Sequence, residues 1–142
     1  MTDERAPQVG VGIVGFGFIG KIHAYGFRNV PLFYDPPPAV PRMVGVCTSR
    51  PETAEKARQV GGFEFGTTRF EKLLERADID VIVVATPNDA HRDQVIAALE
   101  AGKHVYCDKP LTVSLDDARA IMSAARAHPQ QVHGMSFQCR FS

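Results

Sequence analysis

The sequence predicts an α/β domain built on a doubly wound parallel sheet. Apolar, strand-like runs alternate with helix-like segments along the 142 residues, and a glycine-rich loop follows the first run. The run at residues 81–85 is apolar without interruption, which is typical of a strand covered by helices on both faces. Repeated β-then-α units favour parallel pairing. We therefore expect one domain over residues 1–142, with strand order 3-2-1-4-5-6.

Six strands and the helices between them can be placed from apolar runs and breaker residues. Strands are expected at 9–14, 42–47, 65–68, 81–85, 104–107 and 132–137, and helices at 19–28, 51–60, 70–76, 89–101 and 114–128. Gly61, Gly62 and Gly102 are helix stops, and Ser114 is the expected N-cap of the last helix. Residues 29–41 hold five prolines, which predicts an elongated surface connection without regular helix or central strand.

Charge, hydropathy and cysteine content limit the function classes. Sixteen basic and sixteen acidic residues give zero net charge, so nothing favours a nucleic acid or an anionic membrane as partner. The apolar runs are too short to cross a bilayer, and the N-terminus does not resemble a signal peptide. Cys47, Cys107 and Cys139 are odd in number and far apart, which indicates neither a disulfide framework nor a metal site. We expect a cytoplasmic protein.

The strongest local signal is the glycine loop, Gly15-Phe16-Gly17-Phe18-Ile19-Gly20, directly after the first apolar run. In a G-x-G-x-x-G loop the first glycine permits the tight turn, the second lets the backbone approach a pyrophosphate, and the third lets the helix pack close to its strand. The helix N-terminus adds N–H donors and a partial positive charge. We expect these six residues to bind a dinucleotide; the alternative is a glycine-rich turn with a structural role.

A second motif, Asp108-Lys109-Pro110, lies at the carboxyl end of the fifth predicted strand. Ligands of open α/β sheets bind beyond the carboxyl ends of the strands. A lysine there can donate a hydrogen bond to a substrate hydroxyl and exchange protons with it. We therefore predict that Lys109 is catalytic; the alternative is a solvent-exposed loop lysine.

Three motifs in this order resemble the glucose–fructose oxidoreductase / inositol dehydrogenase / MocA family. They are the glycine loop, residues 85–91 and residues 101–111. The resemblance implies a Rossmann domain followed by a second α/β domain, NAD(P)-dependent oxidation of a sugar or cyclitol hydroxyl or the reverse reduction, and a homo-oligomer formed through the second domain. We expect this chain to hold the first domain only, with the start of the connection near residues 138–142.

The resemblance also assigns roles to particular residues. Lys109 would bind substrate and handle its proton, and Asp108, which stands where the family usually has Glu, would lie near the cofactor ribose. Thr86, Pro87 and Asn88 would lie along the cofactor; the alternative is a plain strand-to-helix turn. His91 would stand near the cofactor or only brace the start of its helix. Arg140 would lie near the nicotinamide end or form a structural salt bridge.

The end of the second strand should distinguish NAD from NADP. An acidic residue there can bind the ribose 2′-hydroxyl, whereas an arginine accommodates a 2′-phosphate. By the resemblance Thr48 occupies the common acidic position, followed by Ser49 and Arg50. Hydroxyls and a guanidinium suit a phosphate, so we expect NADP or NAD, with a preference for NADP. The alternative is that Arg50 merely begins the next helix at the surface.

The expected function is that of the nucleotide-binding domain of an NAD(P)-dependent oxidoreductase acting on a polyol. The 142-residue chain alone should be inactive, because its substrate would be neither positioned nor shielded from water. Two alternatives stay open. One is a non-catalytic, cofactor-sensing regulator of the same family. The other is a dehydrogenase of a different Rossmann family, acting on a semialdehyde or an amino acid, which would lack the Asp-Lys-Pro context.

Overall fold

The computed structural model of the protein describes residues 6–137. It contains a six-stranded sheet of order β3-β2-β1-β4-β5-β6 with parallel neighbours, which confirms the predicted strand order. The strands are β1 Gln8–Val14, β2 Val40–Cys47, β3 Phe65–Thr67, β4 Val81–Val84, β5 His104–Cys107 and β6 His133–Met135. The helices are α1 Phe18–Phe33, α2 Pro51–Gly61, α3 Glu71–Leu74, α4 His91–Glu100, which follows a 3-10 turn at Asn88–Ala90, and α5 Leu115–Ala127.

The central strand β4 is buried on both faces, as its uninterrupted apolar sequence predicts. Ile82 and Val84 belong to a core cluster that also contains Leu99 of α4 and Ile121 of α5. Val83 points to the other face and belongs to a second cluster with Ala24 of α1. Successive side chains of a strand face opposite sides of the sheet, so one apolar strand contributes to both helical layers.

The loops that follow β1, β2 and β4 meet at one edge of the sheet. Strand β1 lies between β2 and β4, and this is the point where the strand order reverses direction. The Gly15 N–H donates to the Cys47 carbonyl at 2.9 Å, and the Ala85 N–H donates to the Val14 carbonyl at 2.9 Å. These two hydrogen bonds extend the ladder just past the ends of the strands. Ligands of open α/β sheets bind at such a switch point.

The predicted boundary of α1 is wrong. The helix continues to Phe33 with Pro31 inside it, and β2 begins at Val40, so residues 29–33 are helical and the irregular connection is shorter than expected. Pro31 lies in the last turn, where its missing N–H removes only one helical hydrogen bond. Phe27, one turn earlier, packs against the core cluster of α1 and α2. This burial offsets the lost hydrogen bond.

The other element ends are close to expectation, and two predicted caps are confirmed. Gly62 ends α2 with φ +70° and donates its N–H to the Arg58 carbonyl. Ser114 is the N-cap of α5, where its side chain accepts the Asp117 N–H at 3.1 Å. Strand β6 is shorter than predicted. Within residues 6–137 no helix is both long enough and apolar enough to cross a bilayer.

Candidate cofactor site

A side chain would have a different consequence at each of the three glycines of the glycine loop. Gly15 has φ +86°, and a Cβ there would collide with the Ala85 carbonyl. A Cβ on Gly20 would collide with the Gly15 carbonyl, so this glycine permits the close packing of helix on strand. A Cβ on Gly17 would meet no protein atom within 4 Å. Packing therefore explains Gly15 and Gly20, whereas the space at Gly17 is open for a ligand to approach the backbone.

The N-terminus of α1 is left uncapped by side chains. Its N-cap is Gly17, which offers no side-chain acceptor, and the first turn contains no acidic residue. The first N–H groups of a helix have no partner within the helix, and together with the helix dipole they favour an anion. The glycine loop therefore fits the pyrophosphate of a dinucleotide.

A cleft of about 530 Å³ lies over the carboxyl ends of β1, β2 and β4. Its volume is in the range of small-molecule sites. The predicted cofactor residues that line it are Gly15, Phe16, Gly17, Thr48, Ser49, Thr86 and Pro87. The structure thus brings together residues from three separate motifs. Sequence reasoning missed Thr53, Thr68, Phe70 and Gln94, which also line the cleft.

Hydroxyl groups shape the cleft wall that follows β2. The hydroxyls of Thr48 and Thr53 lie 2.7 Å apart, a distance at which one donates to the other, and they lie 3.1 and 2.9 Å from the Arg50 carbonyl oxygen, which accepts from the remaining hydroxyl. Arg50 itself is exposed and does not line the cleft. None of the residues that line the cleft in the described part of the chain is acidic.

Gln94, in the first turn of α4, is held by the loop that follows β4. The Thr86 hydroxyl donates to Gln94 Oε1 at 2.6 Å. Because the amide oxygen is engaged, the two N–H donors of this side chain remain for another acceptor. The only sequence signal for Gln94 is its place just after residues 86–91, since glutamine is an ordinary residue on a helix surface.

Other predicted site residues lie outside the cleft. Phe18 is 77 % exposed, and Ile19 and Asn88 are half-buried; none of these three side chains lines the cleft. Arg140 lies outside the described residues. The cofactor roles of these four residues stay predictions.

His91 is the most deeply buried polar side chain of the described region, at 1 % exposure. Its Nε2 lies 2.8 Å from the Thr86 carbonyl oxygen, and its Nδ1 lies 3.0 Å from the Pro110 carbonyl and 3.2 Å from the Leu111 carbonyl. The ring does not line the cleft. His91 therefore contacts the residues around the cleft and not the cleft itself.

Asp108 and Lys109 stand at the carboxyl end of β5 but differ in exposure. Asp108 is buried, and its N–H donates to the Val84 carbonyl at 2.9 Å. Lys109 is exposed, and among residues 6–137 its ammonium has neither an ion pair nor a hydrogen bond to the protein. Exposure agrees with the surface-lysine alternative, and it also leaves the ammonium available to a substrate.

The two cysteines of the described region are core residues. Burial raises the pKa of the Cys47 thiol to about 11 and that of the Cys107 thiol to about 12. Both therefore remain thiols at neutral pH, and a nucleophilic or metal-binding role would need the thiolate. In residues 6–137 no cluster of His, Cys, Asp and Glu is arranged to hold a metal ion.

Comparison with known proteins decides the family. Residues 9–135 match the family model GFO_IDH_MocA, described as "Oxidoreductase family, NAD-binding Rossmann fold". The chain belongs to this family. The resemblance drawn from the three motifs is thereby confirmed.

Similar proteins are named as dehydrogenases. The chain is 36 % identical over 133 residues to levoglucosan dehydrogenase of Pseudarthrobacter phenanthrenivorans, covering 94 % of this chain and 34 % of the relative. It is 45 % identical over 140 residues to inositol 2-dehydrogenase of Rhodococcus erythropolis, covering 98 % of this chain and 37 % of the relative. A solved structure of levoglucosan dehydrogenase in complex with NADH superposes with a TM-score of 0.90, at 36 % identity, covering 94 % of this chain and 36 % of that one. The chain thus spans about a third of the length of these relatives, and their names favour the oxidoreductase interpretation over a regulator.

Proposed function

We propose that the cleft binds a nicotinamide dinucleotide and that the whole protein is a dehydrogenase acting on a hydroxyl group of a sugar or cyclitol. The observation that carries the proposal is Gly17. Its missing side chain is not required by protein packing, and it stands at the uncapped N-terminus of α1, inside the cleft at the switch point. An anion bound there would receive backbone N–H donors and the favourable end of the helix dipole.

Different residues of the cleft would hold different parts of the dinucleotide. The glycine loop would bind the pyrophosphate, Thr48 and Ser49 would face the adenosine ribose, and Thr86 with Pro87 would lie along the cofactor. The chemistry that a bound nicotinamide supplies is acceptance or donation of a hydride. Lys109 would hydrogen-bond the substrate hydroxyl and exchange its proton, with Asp108 beside it near the ribose.

The cleft suits NADP better than NAD, although the similar solved structure contains NADH. Among residues 6–137, those that line the cleft after β2 include no carboxylate that could bind the 2′-hydroxyl or repel a 2′-phosphate. Ser49 would donate a hydroxyl hydrogen bond to such a phosphate, and Thr48 would do so after its hydroxyl turns away from Arg50 and Thr53. The exposed Arg50 guanidinium would add a charge-assisted bond after a side-chain movement.

A parallel titration of the chain with NADPH and NADH tests both parts of this proposal. We expect saturable binding of both, tighter for NADPH, and a preference that falls about tenfold in Arg50→Ala, because a charge-assisted hydrogen bond is lost. Arg126→Ala is the matched control, since this exposed arginine lies in the last turn of α5. Tighter binding of NADH, unaffected by Arg50→Ala, would refute the NADP preference, and binding of neither would refute the cofactor site.

The role of Lys109 is tested in the whole enzyme with a panel of polyols. Lys109→Ala should lower kcat about a hundredfold or more, as loss of a proton-handling group does, while the Kd for the cofactor changes little. Equal turnover of variant and wild type would remove Lys109 from the mechanism. The homo-oligomer implied by the family is part of the same proposal, and light scattering of the whole protein tests it.

A further inference from the structure

We infer that His91 is a positioning residue that ties the cofactor-binding loop to the loop carrying Lys109. The inference rests on the proposed function for its importance, because the two loops need to be held together only if both serve one reaction. We use "threonine loop" for residues 85–87, between β4 and the 3-10 turn, and "lysine loop" for residues 108–114, between β5 and α5.

The contacts of the imidazole ring connect the two loops directly. On one side, Nε2 lies 2.8 Å from the carbonyl oxygen of Thr86, a residue that lines the cleft. On the other side, Nδ1 lies 3.0 and 3.2 Å from the carbonyl oxygens of Pro110 and Leu111, the two residues that follow Lys109. We call this arrangement the His91 bridge.

The bridge is rigid because of what surrounds the ring. His91 is 1 % exposed, and it is the first residue of α4, so its backbone is fixed by the helix. The two nitrogens of an imidazole stand at a fixed separation in one plane. When both ring nitrogens carry hydrogen, the carbonyl oxygens of the two loops therefore cannot move apart without losing a hydrogen bond in a place that excludes water.

The thiol of Cys107 keeps the bridge satisfied when the ring is neutral. A neutral imidazole has one N–H donor and one acceptor nitrogen. If Nε2 carries the hydrogen, the ring donates to Thr86, and Nδ1 accepts from the Cys107 thiol, whose Sγ lies 3.4 Å away and whose hydrogen can otherwise go to the Asp108 carbonyl, also at 3.4 Å. Cys107 is the last residue of β5 and immediately precedes the lysine loop. In this tautomer the ring therefore connects the threonine loop to the end of β5, whereas a ring with hydrogens on both nitrogens donates to the carbonyls of both loops.

The bridge differs from the alternatives weighed for this residue. His91 does not line the cleft, so it is not placed to bind the cofactor itself. The same contacts fix the first residue of α4, as the bracing alternative expects, and they extend to loops that follow two different strands. Its effect on the reaction would pass through the positions of Thr86 and Lys109.

Two substitutions of His91 test the two sides of the bridge separately. The amide nitrogen of asparagine reaches about as far as Nδ1 of histidine, and that of glutamine about as far as Nε2. His91→Asn should keep the hydrogen bond to the lysine loop and lose that to Thr86, while His91→Gln should do the reverse. The matched control is His133→Asn, because His133 is exposed on the edge strand β6.

The readouts are the Kd for NADH and the backbone amide order parameters of each loop, which report how rigidly each loop is held. We expect His91→Asn to raise the Kd about fivefold, the effect of one hydrogen bond, with the order parameters at residues 109–113 nearly unchanged. His91→Gln should lower the order parameters at 109–113 and leave the Kd within about twofold. Equal changes in both variants, or no change in either, would show a merely structural histidine and overturn the inference.

A measurement on the unmodified chain keeps the test valid if a variant does not fold. ADP lacks the nicotinamide ring and the ribose attached to it, so its direct contacts are confined to the adenosine and pyrophosphate side of the cleft. If the bridge couples the loops, ADP should raise the amide order parameters at residues 109–113 as well as in the threonine loop. Binding of ADP that raises the order parameters in the threonine loop alone would overturn the bridge. Failure to bind either NADH or ADP would contradict the proposed function itself.

Discussion

We call the side of the sheet where the parallel strands begin the amino edge and the side where they end the carboxyl edge. A lysine is buried at the first edge, and another is exposed at the second. Lys103 comes just before β5 and is only 8 % exposed; its Nζ donates to the Arg76 carbonyl at 2.7 Å and the Ile79 carbonyl at 2.8 Å. Lys109 comes just after β5 and is exposed. The strand between them is four residues long. The first lysine completes the fold, and the second remains free to meet a ligand.

Polar groups at the amino edge are largely paired with each other. Arg42 and Arg76 both donate to Asp78, at 2.8 and 2.7 Å, and the Asp80 carboxylate accepts the Gly10 N–H at 2.7 Å. At the carboxyl edge, the uncapped N-terminus of α1 and the Gln94 amide donors face a cleft. The difference indicates that the fold uses its amino edge for stability and leaves hydrogen-bonding capacity at its carboxyl edge.

The largest expected effect is on binding at the carboxyl edge. Gly17→Val should weaken NADH and NADPH binding more than about a hundredfold, since the side chain would fill the space where the pyrophosphate approaches the backbone. The variant should fold, because a Cβ there meets nothing within 4 Å. Gly26→Val is the control, since Gly26 also has open space but lies on α1 outside the cleft. Calorimetric titration with circular dichroism checks both variants, and retained affinity in Gly17→Val would contradict the site.

The next largest expected effect is on stability, and it comes from the difference in burial between Lys103 and Lys109. Lys103→Ala should lower the free energy of unfolding by about 2 kcal/mol, because it removes the ammonium donor from the Ile79 carbonyl and leaves the Arg76 carbonyl with only the long bond from the Ile79 N–H, at 3.4 Å. Lys109→Ala should change it by less than about 0.5 kcal/mol, as is usual for an exposed side chain. Urea denaturation of the two variants checks the contrast. Equal destabilisation would mean that the two edges do not differ as the structure indicates.

A smaller effect is expected from Gln94, which the sequence did not predict as a site residue. Gln94→Ala should raise the Kd for NADPH or NADH about threefold to tenfold, the effect of one lost hydrogen bond. Gln59→Ala is the control, because this exposed glutamine on α2 donates to Glu55 at 2.7 Å and does not line the cleft. Binding that is the same in both variants would exclude a contact between the Gln94 amide and the cofactor.

The smallest expected effect is on the pH dependence of stability, through a carboxylate at the amino edge. Hydrogen bonds from Arg76 and Arg42 lower the pKa of Asp78 well below its ordinary value. A carboxylate whose pKa is lower in the folded state adds stability above its unfolded pKa of about 4, and this stability is lost as pH falls through the folded pKa. Asp78→Asn should therefore reduce the loss of stability seen on acidification below about pH 4.

Urea midpoints between neutral pH and the lowest pH at which the protein folds test this expectation. Asp89→Asn serves as the control, since Asp89 is an exposed carboxylate in the 3-10 turn. The pairing of Asp78 with arginine would be contradicted if both variants had the same acid profile as the wild type.

The glycine loop was predictable because it depends on local sequence, and the strand order was predictable because alternating β and α segments with such a loop are typical of the doubly wound sheet. The β5 bounds agree residue for residue with the prediction, since Gly102 before the strand and the Asp-Lys-Pro turn after it mark both ends. The end of α1 was not predictable from Pro31, because whether a helix continues past a proline depends on tertiary packing, here that of Phe27 against the core.

The cleft was only partly predictable for a different reason. Motif residues such as Gly17 and Thr86 are rare in combination and can be recognised, whereas Gln94 and Thr53 are ordinary helix residues that line the cleft only through the placement of α4 and α2. The contrast between Lys103 and Lys109 was equally hidden, because the sequence does not reveal that the carbonyls of residues 76 and 79 converge on one ammonium.

The most direct test of the contrast between the edges is a map of backbone amide chemical-shift changes on titration with NADPH. The account predicts large changes at Gly15, Gly17, Thr48 and Thr86, and little change at Arg42, Asp78 and Lys103. Changes concentrated at the amino edge, or no change at any of these residues under saturating cofactor, would contradict the assignment of ligand binding to the carboxyl edge.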